Sequence, residues 1–96
     1  NVGPDDVDCF QTCALVDLFV SKWDEGLQWI NRYDGGPHEA NFLKLDCSKL
    51  TAAMGWQPKW HIEEAVAKTV EWAKAWQNND NISLLMEKQI REFLED

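Results

Sequence analysis

The sequence predicts a mostly α-helical chain with two or three short strands between the helices. Two long segments, 62–77 and 82–94, repeat apolar residues at helical spacing. The region before them is rich in turn residues, and its apolar residues form only short, β-prone runs. Strands this short and few do not make a stable sheet alone, so we expect them to extend a sheet begun outside the chain.

The first third of the chain is predicted to hold one helix between two extended segments. Residues 1–4 are typical of the end of a strand, and an acidic turn follows at 5–8. The apolar pattern from Thr12 to about Trp23 predicts a helix with Thr12 as its N-cap. Because this helix is apolar around most of its circumference, we expect it to be largely buried. Residues 27–30 are β-prone and predict a strand.

The middle of the chain predicts a loop, a strand and a short helix. Segment 34–38 holds two glycines and a proline, the strongest loop signal in the sequence. Residues 41–45 alternate in polarity and predict a second strand. Asp46 is expected to cap a helix over 47–54, which ends at Gly55 because glycine tolerates a left-handed backbone.

The carboxy-terminal half predicts two amphipathic helices, 62–77 and 82–94, separated by polar residues at 78–81. Trp72 and Trp76 lie on the apolar arc of the first and are expected to be mainly packed inside. The same is expected of most of the six tryptophans.

The charge balance excludes several classes of function. Nine basic and seventeen acidic residues give a net charge of −8. A chain this acidic is not suited to non-specific nucleic-acid binding or to an anionic membrane surface. No apolar run approaches the roughly 20 residues that span a bilayer. The three cysteines have no metal-site spacing, so we expect reduced thiols, a cytoplasmic protein and no metal.

The chain contains no recognisable set of catalytic residues. The chain holds two histidines, and neither lies in a nucleophile motif. No glycine-rich phosphate loop or dinucleotide fingerprint is present. Ser48 and Lys49 are neighbours on a predicted helix and therefore point in different directions. We predict no catalytic, cofactor-binding or metal-binding residue in this chain.

His38 and Glu39 are the most interesting polar pair, because they lie in a loop directly before a predicted strand. Loops at strand ends often present binding groups on a rigid scaffold. A carboxylate there can accept two hydrogen bonds from a sugar or ribose diol. Composition alone favours a solvated acidic loop.

Several motifs in a fixed order resemble one family. The chain resembles the carboxy-terminal substrate lobe of the nucleotide-sugar dehydratases and epimerases of the extended short-chain dehydrogenase/reductase family. The likeness rests on Asn1-Val2-Gly3, Pro37-His38-Glu39-Ala40, Asp46-x-Ser48-Lys49, Gly55-Trp56-x-Pro58 and Thr69-Val70-Glu71-Trp72. Each piece is weak alone, and their order is specific. The resemblance implies that residues 1–96 form the substrate lobe of a larger α/β, Rossmann-type enzyme.

The resemblance also implies an activity for that enzyme. The run 36–46 is most similar to the lyases that act on CDP-glucose and form a 4-keto-6-deoxy sugar with the help of NAD. The domain that binds NAD, and the catalytic residues, would lie upstream of Asn1. The chain alone is therefore expected to be inactive, and the complete enzyme to be a homo-oligomer.

Three residues are expected to bind the substrate. In the family, the acidic residue of the loop contacts the ribose, which assigns Glu39 that role with His38 beside it. The family's phosphate-binding arginine falls on Gly35 or Gly36, and Arg32 is near enough to replace it. Two alternatives remain open: a related epimerase or dehydratase, and an acidic helical interaction module that binds no small molecule.

Overall fold

The computed structural model describes residues 1–30, 32 and 45–95, and this part of the chain is helical. It contains α1 (Thr12–Trp23), α2 (Ser48–Met54), α3 (Ile62–Gln77) and α4 (Ile82–Glu95), with a single 3-10 turn at Asp6–Asp8. The prediction of a mostly helical chain is confirmed. None of the described helices has the length and apolar character to cross a membrane.

Helix α3 is the central element, because α1 packs against one side of it and α4 against another. Its Val66 and Val70 are only 7% and 4% exposed, and they are the buried hydrophobic residues of the described chain. They lie four residues apart and therefore on one face of α3. The apolar core that the described residues form is therefore small.

Lysine side chains link the neighbouring helices to α3. Lys74 Nζ donates a hydrogen bond to the Trp23 carbonyl at 2.6 Å, where α1 ends. A cation is favourable there because the last carbonyls of a helix lack partners within it. On the α4 side Lys68 pairs with Glu92, and the Gln89 amide donates to the Lys68 carbonyl at 2.8 Å.

The helix ends follow local sequence with one exception. Gly55 follows α2 with φ of 64°, as predicted for a glycine that ends a helix. Asn81 precedes α4, and its side-chain oxygen accepts a hydrogen bond from the Leu84 amide at 3.2 Å. The prediction for Thr12 is wrong: it is the first residue of α1, and Gln11 occupies the N-cap position without a side-chain bond.

The strand predictions are not confirmed. Residues 27–30 and Leu45 have no regular secondary structure, and 41–44 lie outside the described residues. A β-prone segment becomes a strand only when another strand supplies its hydrogen bonds, and no described segment pairs with 27–30.

The burial predicted for α1 and for two tryptophans is also wrong. No residue of α1 is fully buried: among the described helices its main neighbour is α3, and Trp29 contacts it from the segment that follows. Trp76 is 65% exposed, and Trp72 is exposed as well. The apolar arc of α3 is wider than the surface that α1 and α4 cover.

Candidate substrate-binding site

The structure describes the two ends of the segment that carries the predicted site residues. His38 and Glu39 themselves lie outside the described residues, and Arg32 is exposed. The described residues nearest to the predicted site lie just before this segment, at 27–30, and just after it, at 45–48.

The segment before the predicted loop is held against α1. Trp29 Nε1 donates a hydrogen bond to Asp17 Oδ1 at 2.9 Å, across twelve positions of sequence. The indole N–H is a donor only, and a carboxylate oxygen is a strong acceptor for it. This contact positions the chain two residues before Asn31.

The segment after the predicted loop packs against the amino-terminal residues. A Cβ added to Gly3 would lie 3.0 Å from Leu45 Cδ1 and 3.4 Å from Cys47 Sγ. The first distance is shorter than a normal carbon–carbon contact, so the absence of a side chain at Gly3 permits the approach. Residues 1–4 and 45–47 therefore lie side by side.

Asp46 organises the start of α2. Its Oδ1 accepts a hydrogen bond from the Ser48 amide at 2.9 Å, which satisfies one of the amides left unpaired at a helix start. The same bond lowers the pKa of Asp46 below its ordinary value, because it favours the charged carboxylate. The helix begins at Ser48 and Cys47 occupies the N-cap position, so Asp46 lies one residue before the predicted cap, although its side chain does bind the first amide of the helix.

A groove of about 520 Å³ lies between these two segments and α2. Its lining is rich in side-chain oxygens: Pro4, Asp5, Asp6, Leu45, Asp46, Cys47, Ser48 and Thr51. Carboxylates and hydroxyls accept hydrogen bonds from ligand hydroxyl groups. Three carboxylates would repel a phosphate, so the groove suits the hydroxyl-bearing part of a ligand.

A second polar cluster joins the 3-10 turn to the start of α3. Asp8 is only 5% exposed, and its Oδ1 accepts a hydrogen bond from the Ile62 amide at 2.9 Å. Its Oδ2 lies 2.7 Å from His61 Nδ1. His61 occupies the N-cap position of α3 but provides no side-chain cap, so Asp8 provides it from a distant part of the sequence.

These contacts change the pKa values of both groups. The hydrogen bond from the Ile62 amide, supported by His61, lowers the pKa of Asp8. The hydrogen bond and the charge of Asp8 raise the pKa of His61. Each group favours the charged form of the other, so the pair is an ion pair when His61 is protonated.

The same cluster could be considered for a metal ion, since ligand atoms of Asp5, Asp8 and His61 lie within 4.8 Å of one another. Both Asp8 oxygens and His61 Nδ1 already take part in hydrogen bonds. A metal would have to replace bonds that satisfy a helix start. Helix capping accounts for the arrangement.

Asp8 and His61 were not singled out by the sequence. They are 53 positions apart, and nothing in either local pattern marks the other as a partner. The available signals were weak: Asp8 ends an acidic turn, and His61 directly precedes the clearest amphipathic helix. A long-range cap is visible only once the fold places both segments together.

Comparison with known proteins agrees with the motifs. Over 94 residues, 98% of this chain, it is 34% identical to the CDP-glucose 4,6-dehydratase of Salmonella typhimurium. The predicted resemblance is confirmed. Over 73 residues it is 32% identical to a dTDP-glucose 4,6-dehydratase of the same organism, and over 63 residues 30% identical to one from Escherichia coli.

The chain is shorter than these 4,6-dehydratases. It spans 26% of the CDP-glucose enzyme and 20% and 18% of the two dTDP-glucose enzymes. No protein-family model matches it. The similarity thus covers 98% of this chain for the CDP-glucose enzyme and 73% and 66% for the two dTDP-glucose enzymes, and about a quarter or less of each relative.

Proposed function

We propose that this chain forms the nucleotide side of the substrate lobe in a longer nucleotide-sugar 4,6-dehydratase that converts CDP-glucose to its 4-keto-6-deoxy product. The observation that carries the proposal is the 34% identity, over 98% of the chain, to a CDP-glucose 4,6-dehydratase. The order of the motifs along the chain agrees with it.

Within this lobe, Glu39 is proposed to accept hydrogen bonds from the ribose hydroxyls, with His38 beside it. Arg32, which is exposed, is proposed to contact the diphosphate. The acidic groove beside Leu45 supports this division of roles. Its carboxylates suit hydroxyl groups and disfavour phosphates, so a cation is needed elsewhere for the diphosphate.

The cofactor of the proposed enzyme, NAD, is assigned to a part of the protein outside these 96 residues. The sequence holds no glycine-rich dinucleotide fingerprint, so no residue of this chain is proposed to bind NAD. When bound, NAD would accept and return a hydride. The residues of this chain would bind and orient the nucleotide end of the substrate.

The proposal is tested with Glu39→Gln in the longer enzyme. Glutamine keeps the shape of the side chain and removes its charge, and losing a charge-assisted hydrogen bond costs roughly 1.5–3 kcal/mol. We expect KM for CDP-glucose to rise about 10- to 150-fold. Because Glu39 would contact the nucleotide and not the reacting carbons, kcat should hold.

Glu63→Gln is the matched control, since Glu63 is an exposed carboxylate in the first turn of α3. It should leave both kinetic constants unchanged. An unchanged KM in Glu39→Gln would make 34–40 a solvated loop without a role in binding. A large loss of kcat would place Glu39 in the chemistry and contradict the proposed role.

The strongest alternative is a substrate with a different nucleotide base, because two of the relatives are dTDP-glucose 4,6-dehydratases. CDP-glucose is preferred here because the match to that enzyme is longer, 94 residues against 73 and 63. Competition between CDP-glucose and dTDP-glucose for the longer enzyme discriminates between them. Binding of neither would favour an acidic interaction module.

A further inference from the structure

Helix α4 has an apolar stripe that no described element covers. Gln89 and Glu92 contact α3, whereas another set of apolar side chains faces away from it. The exposed set is spaced four, three and one residues apart, which places it along one side of the helix. This α4 stripe consists of Met86, Ile90, Phe93 and Leu94.

The stripe borders a groove of about 340 Å³, lined by its four residues with Trp60 and Gln89. Trp60 meets Phe93 edge to face, with ring centroids 5.0 Å apart. Lys59 Nζ donates hydrogen bonds to the Phe93 and Leu94 carbonyls at 3.2 and 3.3 Å. These bonds satisfy carbonyls at the end of α4, so the groove is built on an anchored helix end.

The side chains of the stripe remain exposed in this structure: Met86 is 49% exposed, Ile90 57%, Phe93 38% and Leu94 66%. A contiguous exposed apolar patch on a protein surface marks a site of contact with another segment or molecule.

We propose that the α4 stripe and Trp60 form a docking surface for the part of the same polypeptide that lies outside these 96 residues. The occupant would be an apolar helix or sheet face. This inference rests on the proposed function, in which the chain belongs to a longer enzyme. It is supported by the match to the CDP-glucose 4,6-dehydratase of Salmonella typhimurium, because this chain spans only 26% of that enzyme.

A second copy of this chain is a poorer occupant. Like charges repel, so the net charge of −8 on these 96 residues opposes association of two copies through this chain, without opposing the homo-oligomer expected of the complete enzyme. A contact within one polypeptide also avoids the translational and rotational entropy lost when two molecules associate. The docking surface is therefore assigned to an intramolecular contact.

The test uses the full-length protein with a single cysteine introduced in α4. Ile90→Cys places a thiol in the groove, and Leu84→Cys is the matched control on another side of the helix. In this structure the two positions are similarly exposed, 57% and 62%. The rate of maleimide labelling is measured by peptide mass spectrometry, which distinguishes the introduced thiol from the native cysteines. Each rate is divided by the rate for the same thiol in urea-unfolded protein.

We expect position 90 to react at least about tenfold more slowly than position 84 in the folded full-length protein. Equal rates would overturn the proposal. Protection that disappears on dilution would also overturn it, because the occupant would then be a second copy.

Hydroxyl-radical footprinting of the unmodified protein provides a measurement that needs no variant, and it should show Met86 and Phe93 protected relative to Leu84. CDP binding is measured on the same sample. If Met86 and Phe93 are protected but CDP does not bind, the proposed function is rejected and the docking surface is kept. If CDP binds but these residues are not protected, only the docking surface is rejected.

Discussion

Replacing Asp8 with alanine removes two long-range contacts at once. The Ile62 amide loses its acceptor at 2.9 Å, and His61 loses the carboxylate at 2.7 Å. Removing a side-chain helix cap typically costs about 0.5–2 kcal/mol. Because Asp8 is only 5% exposed, we expect a loss in the upper part of that range, about 1–2 kcal/mol. For a chain of this size, that lowers Tm by about 4–15 °C.

The effect of Asp8→Ala should depend on pH in two directions. The pKa of Asp8 is lowered in the folded chain, so its contribution is present above the ordinary value of 3.8 and is lost as pH falls through the folded pKa. The pKa of His61 is raised, so its contribution is present below 6.5 and is lost as pH rises through its folded pKa. The difference in stability between wild type and variant should be largest between these two values.

Thermal unfolding followed by circular dichroism measures this difference across pH. Asp80→Ala is the control, since Asp80 lies in the turn between α3 and α4 and its removal should change stability by less than about 0.5 kcal/mol. Asp8→Asn adds a second comparison, because asparagine can still accept from the Ile62 amide but lacks the charge. Its stability should lie between those of wild type and Asp8→Ala.

A Tm of Asp8→Ala equal to that of Asp80→Ala would refute the capping role. A difference that falls at low pH but stays constant as pH rises through the titration of His61 would refute the ion pair with His61 while leaving the cap in place.

Two further substitutions test the packing. Val70→Ala removes buried carbon atoms at the centre of α3 and should lower the free energy of unfolding, measured by chemical denaturation, by about 2 kcal/mol. Val2→Ala is the control, because Val2 is exposed, and it should have little effect. Gly3→Ala places a Cβ 3.0 Å from Leu45 Cδ1 and should cost about 1–3 kcal/mol, and an unchanged denaturation midpoint would mean that residues 1–4 do not pack there.

The local elements were predictable because local sequence decides them. The periodic patterns over 62–77 and 82–94 predict α3 and α4, and the structure places helices at Ile62–Gln77 and Ile82–Glu95. Gly55 and Asp46 act through their own backbone or through an amide two residues away. Such contacts need no information from the rest of the chain.

The failed strand and burial predictions, unlike the local error at Thr12, depend on a partner at long range. The β-prone residues 27–30 form no strand, because strand formation needs a neighbouring strand. Trp76 lies on an apolar arc and is nevertheless exposed, because periodicity shows which face is apolar and not what covers it.

The candidate site likewise has a part that the sequence predicts and a part that only the fold reveals. The sequence was sufficient to identify the family resemblance and to nominate His38, Glu39 and Arg32, because motif order is a property of the chain alone. Only the tertiary structure brought Gly3 against Leu45 and Asp8 to the start of α3. The physical reason is that a hydrogen bond or a close packing contact depends on distance in space, and separations of 42 or 54 positions are not encoded in any local pattern.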